Sequence, residues 1–240
     1  MARLLQSFGL LLFLGVLLWA PLAEAAEERQ TACQTTPEAG DETQFSQPEK
    51  DIYIDGMTNT LYYFEDGKVA AKYAVAVGKS STPSPLGVFT INHKAANWGT
   101  GFGSRFMGLS VRWGKYGIHG TNNPGSIGSM ASHGCFRMLN RDVEELYKKV
   151  PEGTRVWVDG GPYGPLGWGL RKLTPGDRGS HVVEVQKRLR NLGYYEGEID
   201  GVYGEGMKAG MLRFKKDRGL AYTHEVDAAA YEAMGILMFE

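Results

Sequence analysis

The hydrophobic pattern of this chain changes period once, and that change constrains the fold more than any other feature. Between Asp51 and Val158 apolar residues come in short runs and at alternate positions: Ile52 to Ile54, Leu61 to Phe64, then Val69, Ala71, Tyr73, Val75 and Val77. Spacing of two places one side of a strand against a core. Asp66-Gly67 is a favoured pair for a tight hairpin turn between two such strands. Thr82-Pro83-Ser84-Pro85-Leu86-Gly87 carries two prolines, which suit neither a helix interior nor a central strand, so it reads as a rigid turn feeding a strand from Val88 to Ile91. One helix is predicted after the Gly-rich stretch Gly99 to Gly120: Asn140 caps it, Val143, Leu146 and Tyr147 form its apolar stripe, and Pro151 ends it. Thr154 to Val158 closes the strand-rich part.

Gly160 to Gly169 is rich in Gly and Pro and marks a boundary. Beyond it the period is helical. Ser180 is a candidate N-cap, Val182, Val185, Leu189 and Leu192 share a face, and Gly193 is placed to terminate the helix. Asp200-Gly201-Val202-Tyr203-Gly204 is a turn, Met207, Met211 and Phe214 mark a second helix ended by Gly219, and a third runs from Ala228 to Met234. The fold expected is mainly β, followed by a small three-helix module of the size that binding or docking units have. The 33 glycines among 240 residues agree with a turn-rich β fold.

The first residues read as a secretory signal. Arg3 supplies the positive region, Leu10 to Trp19 the apolar one, and Ala23-Glu24-Ala25 the small-x-small cleavage site. The competing reading is a retained anchor, since no charge falls between Leu4 and Ala23. The resulting division is 1–25 signal peptide, 26–49 disordered linker, 50–159 β domain, 160–172 linker and 173–240 helical domain. An exported chain, in a cell wall, periplasm or medium, is expected. A formal net charge of −1 gives no electrostatic support for nucleic-acid binding, and a membrane partner follows only if the signal is retained.

Two cysteines are present. Cys33 sits in the polar stretch Glu27 to Lys50, and Cys135 in a motif dense in His, Gly and Ser, so a structural bridge between them is disfavoured although export permits one. The chemistry-bearing residues are Ile118-His119-Gly120-Thr121 and Ser132-His133-Gly134-Cys135-Phe136-Arg137-Met138. A thiolate attacks carbonyls, and an adjacent imidazole can take the thiol proton and return it to a leaving amine. Glycines beside both residues permit close approach of substrate and free N–H groups for an oxyanion. A zinc site remains an alternative on residue types alone, with His93 or Asp142 as further ligands, although the spacings match no common structural zinc motif. An inert buried cysteine or a redox cysteine is the other.

This string, with S-T-P-S-P-L-G-V-F upstream and Gly153-Thr154-Arg155-Val156 downstream, resembles the signature of L,D-transpeptidases with a YkuD-type catalytic domain over residues 50 to 159. Phe136 departs from the aliphatic residue usual there. The resemblance implies a β-sandwich-like fold with Cys and His facing one cleft. It implies Cys135 as nucleophile and His119 as base and acid, with His133 the alternative base. Gly120 would orient the imidazole through its carbonyl. His133, Gly134 and the Cys135 amide would lie at the oxyanion, Arg137 would hold the loop or a substrate carboxylate, and Ser132 and Thr121 would support the substrate site. It further implies thioester acyl transfer between peptidoglycan stem peptides to give 3→3 cross-links, with no metal or cofactor. Hydrolysis by water would make the same site an L,D-carboxypeptidase. A wall-binding protein without catalysis is the remaining alternative.

The helical part, with Val182, Val185-Gln186 and Leu189, then Leu192-Gly193-Tyr194, Asp200-Gly201-Val202-Tyr203-Gly204 and Phe214, resembles the PG_binding_1 type of peptidoglycan-binding domain. Its implied partner is peptidoglycan, both stem tetrapeptides and glycan; the sequence leaves the oligomeric state open, with a monomer the expectation.

Overall fold

The computed structural model describes residues 49–161 and 164–236. The expected signal segment, the linker before Lys50 and Cys33 all lie outside the described residues. No helix among the described residues is long and apolar enough to cross a membrane.

The β part contains ten strands. They are β1 (Lys50–Asp55), β2 (Thr60–Glu65), β3 (Lys68–Ala74), β4 (Val77–Gly78), β5 (Gly87–Ala96), β6 (Arg105–Leu109), β7 (Gly117–His119), β8 (Met130–Ser132), β9 (Phe136–Arg137) and β10 (Arg155–Asp159). Eight form one sheet in the order β3-β2-β1-β10-β5-β6-β7-β9, and β4 pairs with β8. The long strand β5 joins the halves: Gly87 to Thr90 pair with β10, and Ile91 to Ala96 pair with β6, with a register shift between Ile91 and His93. Such a shift bends a strand and raises its twist, so the sheet curls over its own core. The sandwich expected from the sequence is thus two halves of one curled sheet. Ile52, Ile54, Leu61, Tyr63, Val156 and Val158 from the first half meet Met107, Ile118 and Phe136 from the second. Phe136, the departure from the aliphatic pattern, is fully buried in this core.

The helix α1 (Asn140–Lys149) buries Val143 and Leu146 as its stripe predicts. Its cap differs from the expectation. Leu139 is the N-cap, and Asn140 is instead drawn to the Gly-rich loop, where its Oδ1 accepts the Ser104 N–H at 3.2 Å. At the other end Lys94 Nζ donates to the carbonyls of Tyr147 and Val150, both at 2.6 Å, a cation where the helix dipole is negative.

The helical module has its own core, with α2 (Ser180–Asn191), α3 (Glu205–Asp217) and α4 (Ala228–Ala233) burying Val182, Val185, Leu189, Met211, Phe214 and Tyr231. Two expectations are corrected. Leu192 lies at the end of α2 and is exposed rather than part of the stripe. Ser180 caps nothing; Gly179 is the N-cap, and the Ser180 hydroxyl accepts the Leu86 N–H at 2.8 Å and donates to the Leu86 carbonyl at 3.0 Å. A contact to the β part has displaced the local one.

Candidate active site

His119 ends β7 and Cys135 immediately precedes β9. These two short strands pair in parallel, Ile118 with Phe136 and His119 with Arg137. Side chains alternate along the pair, so Cys135, His119 and Arg137 share the face opposite the buried Ile118 and Phe136. Backbone bonds close the arrangement: Met138 N–H donates to the His119 carbonyl at 2.8 Å, and Arg137 and Ala76 exchange bonds at 2.9 Å in both directions.

The imidazole is held on three sides. His119 Nδ1 donates to the Gly120 carbonyl at 2.5 Å, which orients the ring, and the Phe102 backbone makes a further polar contact with the imidazole. Phe102 meets the ring edge-on at 5.0 Å between centroids, and Phe106 stacks on it at 6.1 Å. Phe106 in turn stacks against Trp98, which is half exposed at the surface. Burial lowers the His119 pKa; the Gly120 bond acts against this, and the charge of Arg137 acts with it.

Cys135 is a free, partly buried thiol. Burial raises its pKa, while the Gly117 backbone N–H and the charge of Arg137 favour the thiolate less strongly. Both shifts favour the uncharged form, a thiol at Cys135 and a neutral imidazole at His119.

The loop before the cysteine is tightly tied. Ser132 Oγ donates to the Cys135 carbonyl at 2.6 Å and accepts the Gly134 N–H at 3.0 Å. Gly134 has φ +112, and a Cβ there would lie 2.6 Å from the Tyr116 ring, so only glycine fits. The Gly134 N–H is thus committed to Ser132. Thr121 is buried, and its hydroxyl accepts the Asn123 N–H at 3.0 Å. Neither Ser132 nor Thr121 has a free hydroxyl for substrate; both hold loops. His133 is exposed, unlike His119. The Arg137 guanidinium is half-buried and makes no side-chain hydrogen bond among the described residues.

No group of three His, Cys, Asp or Glu side chains among the described residues is arranged to hold a metal. His93 packs at a tilt against Trp98 and Phe106 and is bonded through Nδ1 to Asn92 Oδ1 at 2.8 Å. Asp142 pairs with Arg141. Sequence reasoning missed Tyr116, Trp113, Phe102 and Phe106 around the site. Their only signal was their place in an aromatic-rich, Gly-rich segment.

The family model for the YkuD L,D-transpeptidase catalytic domain matches residues 49–158, and that for PG_binding_1, "Putative peptidoglycan binding domain", matches residues 178–234. The chain is similar to "Putative L,D-transpeptidase YkuD" of Bacillus licheniformis, 50% identical over 107 residues, 45% of this chain and 62% of the relative. It is 35% identical over 122 residues to "Putative L,D-transpeptidase YqjB" of Bacillus subtilis, 45% of this chain and 69% of the relative. Among solved structures, the catalytic domain from the E. faecium L,D-transpeptidase aligns with TM-score 0.41 and 28% identity, covering 47% of this chain and 98% of that one. The chain spans 62% and 60% of the two YkuD relatives from the two Bacillus species.

Proposed function

We infer the function from one premise: this chain belongs to the L,D-transpeptidase family, with a peptidoglycan-binding domain behind its catalytic domain. It acts, on our reading, as an exported cysteine-dependent acyl transferase on peptidoglycan stem peptides, forming 3→3 cross-links. The observation that supports this reading best is the parallel pairing of β7 with β9, which puts Cys135 and His119 on one face of adjacent strands, the imidazole oriented by the Gly120 carbonyl.

His119 Nε2 takes the thiol proton as Sγ attacks the carbonyl carbon of the third stem residue. The Cys135 N–H faces the oxyanion that forms. The C–N bond to the terminal D-alanine breaks, and the proton on His119 leaves with its amine. Nε2 then accepts a proton from the incoming amine of a second stem, an amide bond forms, the C–S bond breaks and the thiol is restored. Burial suits this cycle, because a base must be neutral before each attack. Arg137, whose guanidinium makes no side-chain hydrogen bond among the described residues, would take the stem carboxylate. Water in place of the amine gives the carboxypeptidase outcome with the same residues.

The test uses the purified chain with disaccharide-tetrapeptide, wild type beside Cys135→Ala, read by intact mass. A tripeptide thioester on the wild type alone, with dimeric 3→3 product, is expected. Turnover retained by the alanine variant would overturn it; monomeric tripeptide alone would make the enzyme a carboxypeptidase.

A further inference from the structure

The helical module does more than follow the catalytic domain in sequence. It grips that domain at two places, and both lead to the cysteine loop. The first grip is Ser180 at the start of α2, whose hydroxyl bonds both the N–H and the carbonyl of Leu86. Leu86 belongs to the proline-rich turn. A few residues earlier in that turn, Thr82 Oγ1 donates to the Ser132 carbonyl at 3.2 Å, and a Cβ on Gly134 would lie 3.3 Å from the Pro83 carbonyl oxygen. Two prolines and the bond from Gly78 N–H to Ser84 Oγ at 2.9 Å make this turn stiff.

The second grip is Trp113. A Cβ on Gly201, in the turn after α2, would lie 2.5 Å from the indole and 3.1 Å from Val183, so the ring is seated against the module's backbone. Its other face meets Phe89 edge-on at 5.9 Å. Arg112 beside it pairs with Glu198 of the module at 2.6 Å. Trp113 and Tyr116 share a short loop closed by Ser110 N–H to Thr90 carbonyl and by Leu109 N–H to Tyr116 carbonyl, both at 2.9 Å. Tyr116 then packs its ring on Gly134, one residue before Cys135.

We propose that the module is a positioning element for the nucleophile: Ser180, through the Leu86 to Thr82 turn, and Trp113, through Tyr116, fix the Ser132 to Cys135 loop in its reactive shape. The two struts are independent, one through a turn held by hydrogen bonds and one through packed rings; the first reaches Ser132 and Gly134, the second Gly134, so they converge on Gly134 beside Cys135. A module that served only as a tether would need neither. Docking of the module therefore sets how fast Cys135 reacts, and peptidoglycan engaged by the module meets a thiol already aligned. This rests on Cys135 as the nucleophile of the proposed reaction.

The experiment compares the full chain with Ser180→Ala, Ser180→Thr and Trp113→Ala. Folding is checked by circular dichroism and urea midpoint. Two rates are then read: iodoacetamide labelling at Cys135 across pH, located by peptide mass so that Cys33 is counted separately, and acylation by soluble disaccharide-tetrapeptide, which needs no tether. The expected result is at least a fivefold fall in kcat for acylation in both alanine variants, with KM little changed, a displaced pH profile of labelling, and recovery in Ser180→Thr. Folded alanine variants with wild-type labelling profiles and acylation rates would overturn the proposal. If Trp113→Ala does not fold, the Ser180 pair decides on the same readouts. If the wild type labels normally but is never acylated, the stem-peptide reading fails, and the labelling profiles still decide whether the struts act.

Discussion

The Ser132 hydroxyl donates to the Cys135 carbonyl at 2.6 Å while accepting the Gly134 N–H at 3.0 Å, so one buried oxygen ties both ends of the turn that carries the nucleophile. Ser132→Ala removes both bonds and leaves a buried N–H and a carbonyl unpaired, which costs about 1–3 kcal/mol. The larger effect is expected on rate, since a shift of about 1 Å in a reacting group can cost on the order of a hundredfold. Urea unfolding and single-turnover acylation check the two parts. Wild-type acylation by the variant would show that the hydroxyl does not hold the loop.

Burial lowers the His119 pKa from its ordinary 6.5 and raises that of Cys135 from 9.0. The imidazole therefore stays a competent base at pH values below 6.5, and the acid limb of kcat/KM should lie below that point. Alkylation of Cys135 by iodoacetamide should still be rising above pH 9. Phe102→Ala admits water to the edge of the imidazole, so the acid limb should move up toward 6.5 and activity at pH 6 should fall, with little change at pH 8. A profile unmoved by the substitution would mean that Phe102 does not desolvate His119.

A second buried histidine makes stability depend on pH. His181 in α2 is held neutral, its Nε2 donating to the Gly169 carbonyl at 3.0 Å, and burial lowers its pKa from 6.5. The unfolded chain takes protons at 6.5 that folded His181 and His119 refuse. Unfolding is therefore favoured as pH falls from 6.5 toward the folded pKa values. The carboxylates Asp200 and Asp227, whose pKa values lie below 3.8, add their losses only at lower pH, through 3.8 and beneath it. Urea midpoints at pH 7.5 and 5 should differ, and His181→Asn should narrow the difference. An equal difference in the variant would assign the whole effect elsewhere.

Much of the architecture was legible because local signals and the final fold agreed. Asp66 and Gly67 do take positive φ in the β2–β3 turn, and Val143 and Leu146 do face the core from α1. The segment from Arg105 to Arg137 was not legible as strands. β6, β7, β8 and β9 are two to five residues long, and Gly108 and Gly117 interrupt them. Their pairing is a property of the curled sheet rather than of any short window. The parallel partnership of β1 with β10 joins residues about a hundred positions apart, beyond the reach of periodicity. Asn140 and Ser180 were misread for one shared reason. Each has the side chain of a cap, and each found a better partner across the fold, Ser104 in one case and Leu86 in the other. At the site, the motif gave Cys135 and His119, but nothing local announced that Tyr116 would close on Gly134.

An ion pair between a buried lysine and a half-exposed aspartate links α3 to α4, and its two members should respond unequally to mutation. Lys215 is fully buried in α3, its Nζ donating to Asp227 Oδ2 and Thr223 Oγ1, both at 2.8 Å. Asp227 also caps α4, accepting the Ala230 N–H at 2.9 Å. Asp227→Ala therefore strands a buried ammonium and uncaps a helix, a loss of about 3–5 kcal/mol for the first and roughly 1 kcal/mol for the second. Lys215→Met removes the charge itself and keeps the volume, while Asp227 is exposed enough to be hydrated, so it should change stability by about 1 kcal/mol or less in either direction. Urea unfolding of the two variants gives the order, and the reverse order would mean that the pair is not what holds α3 to α4. The same variants bear on catalysis. If the module fixes the Ser132 to Cys135 loop, acylation in Asp227→Ala should fall in step with unfolding of the helical part as urea is raised, while Lys215→Met keeps the wild-type rate. Acylation that outlasts the module's unfolding would separate the two domains in function as well as in sequence.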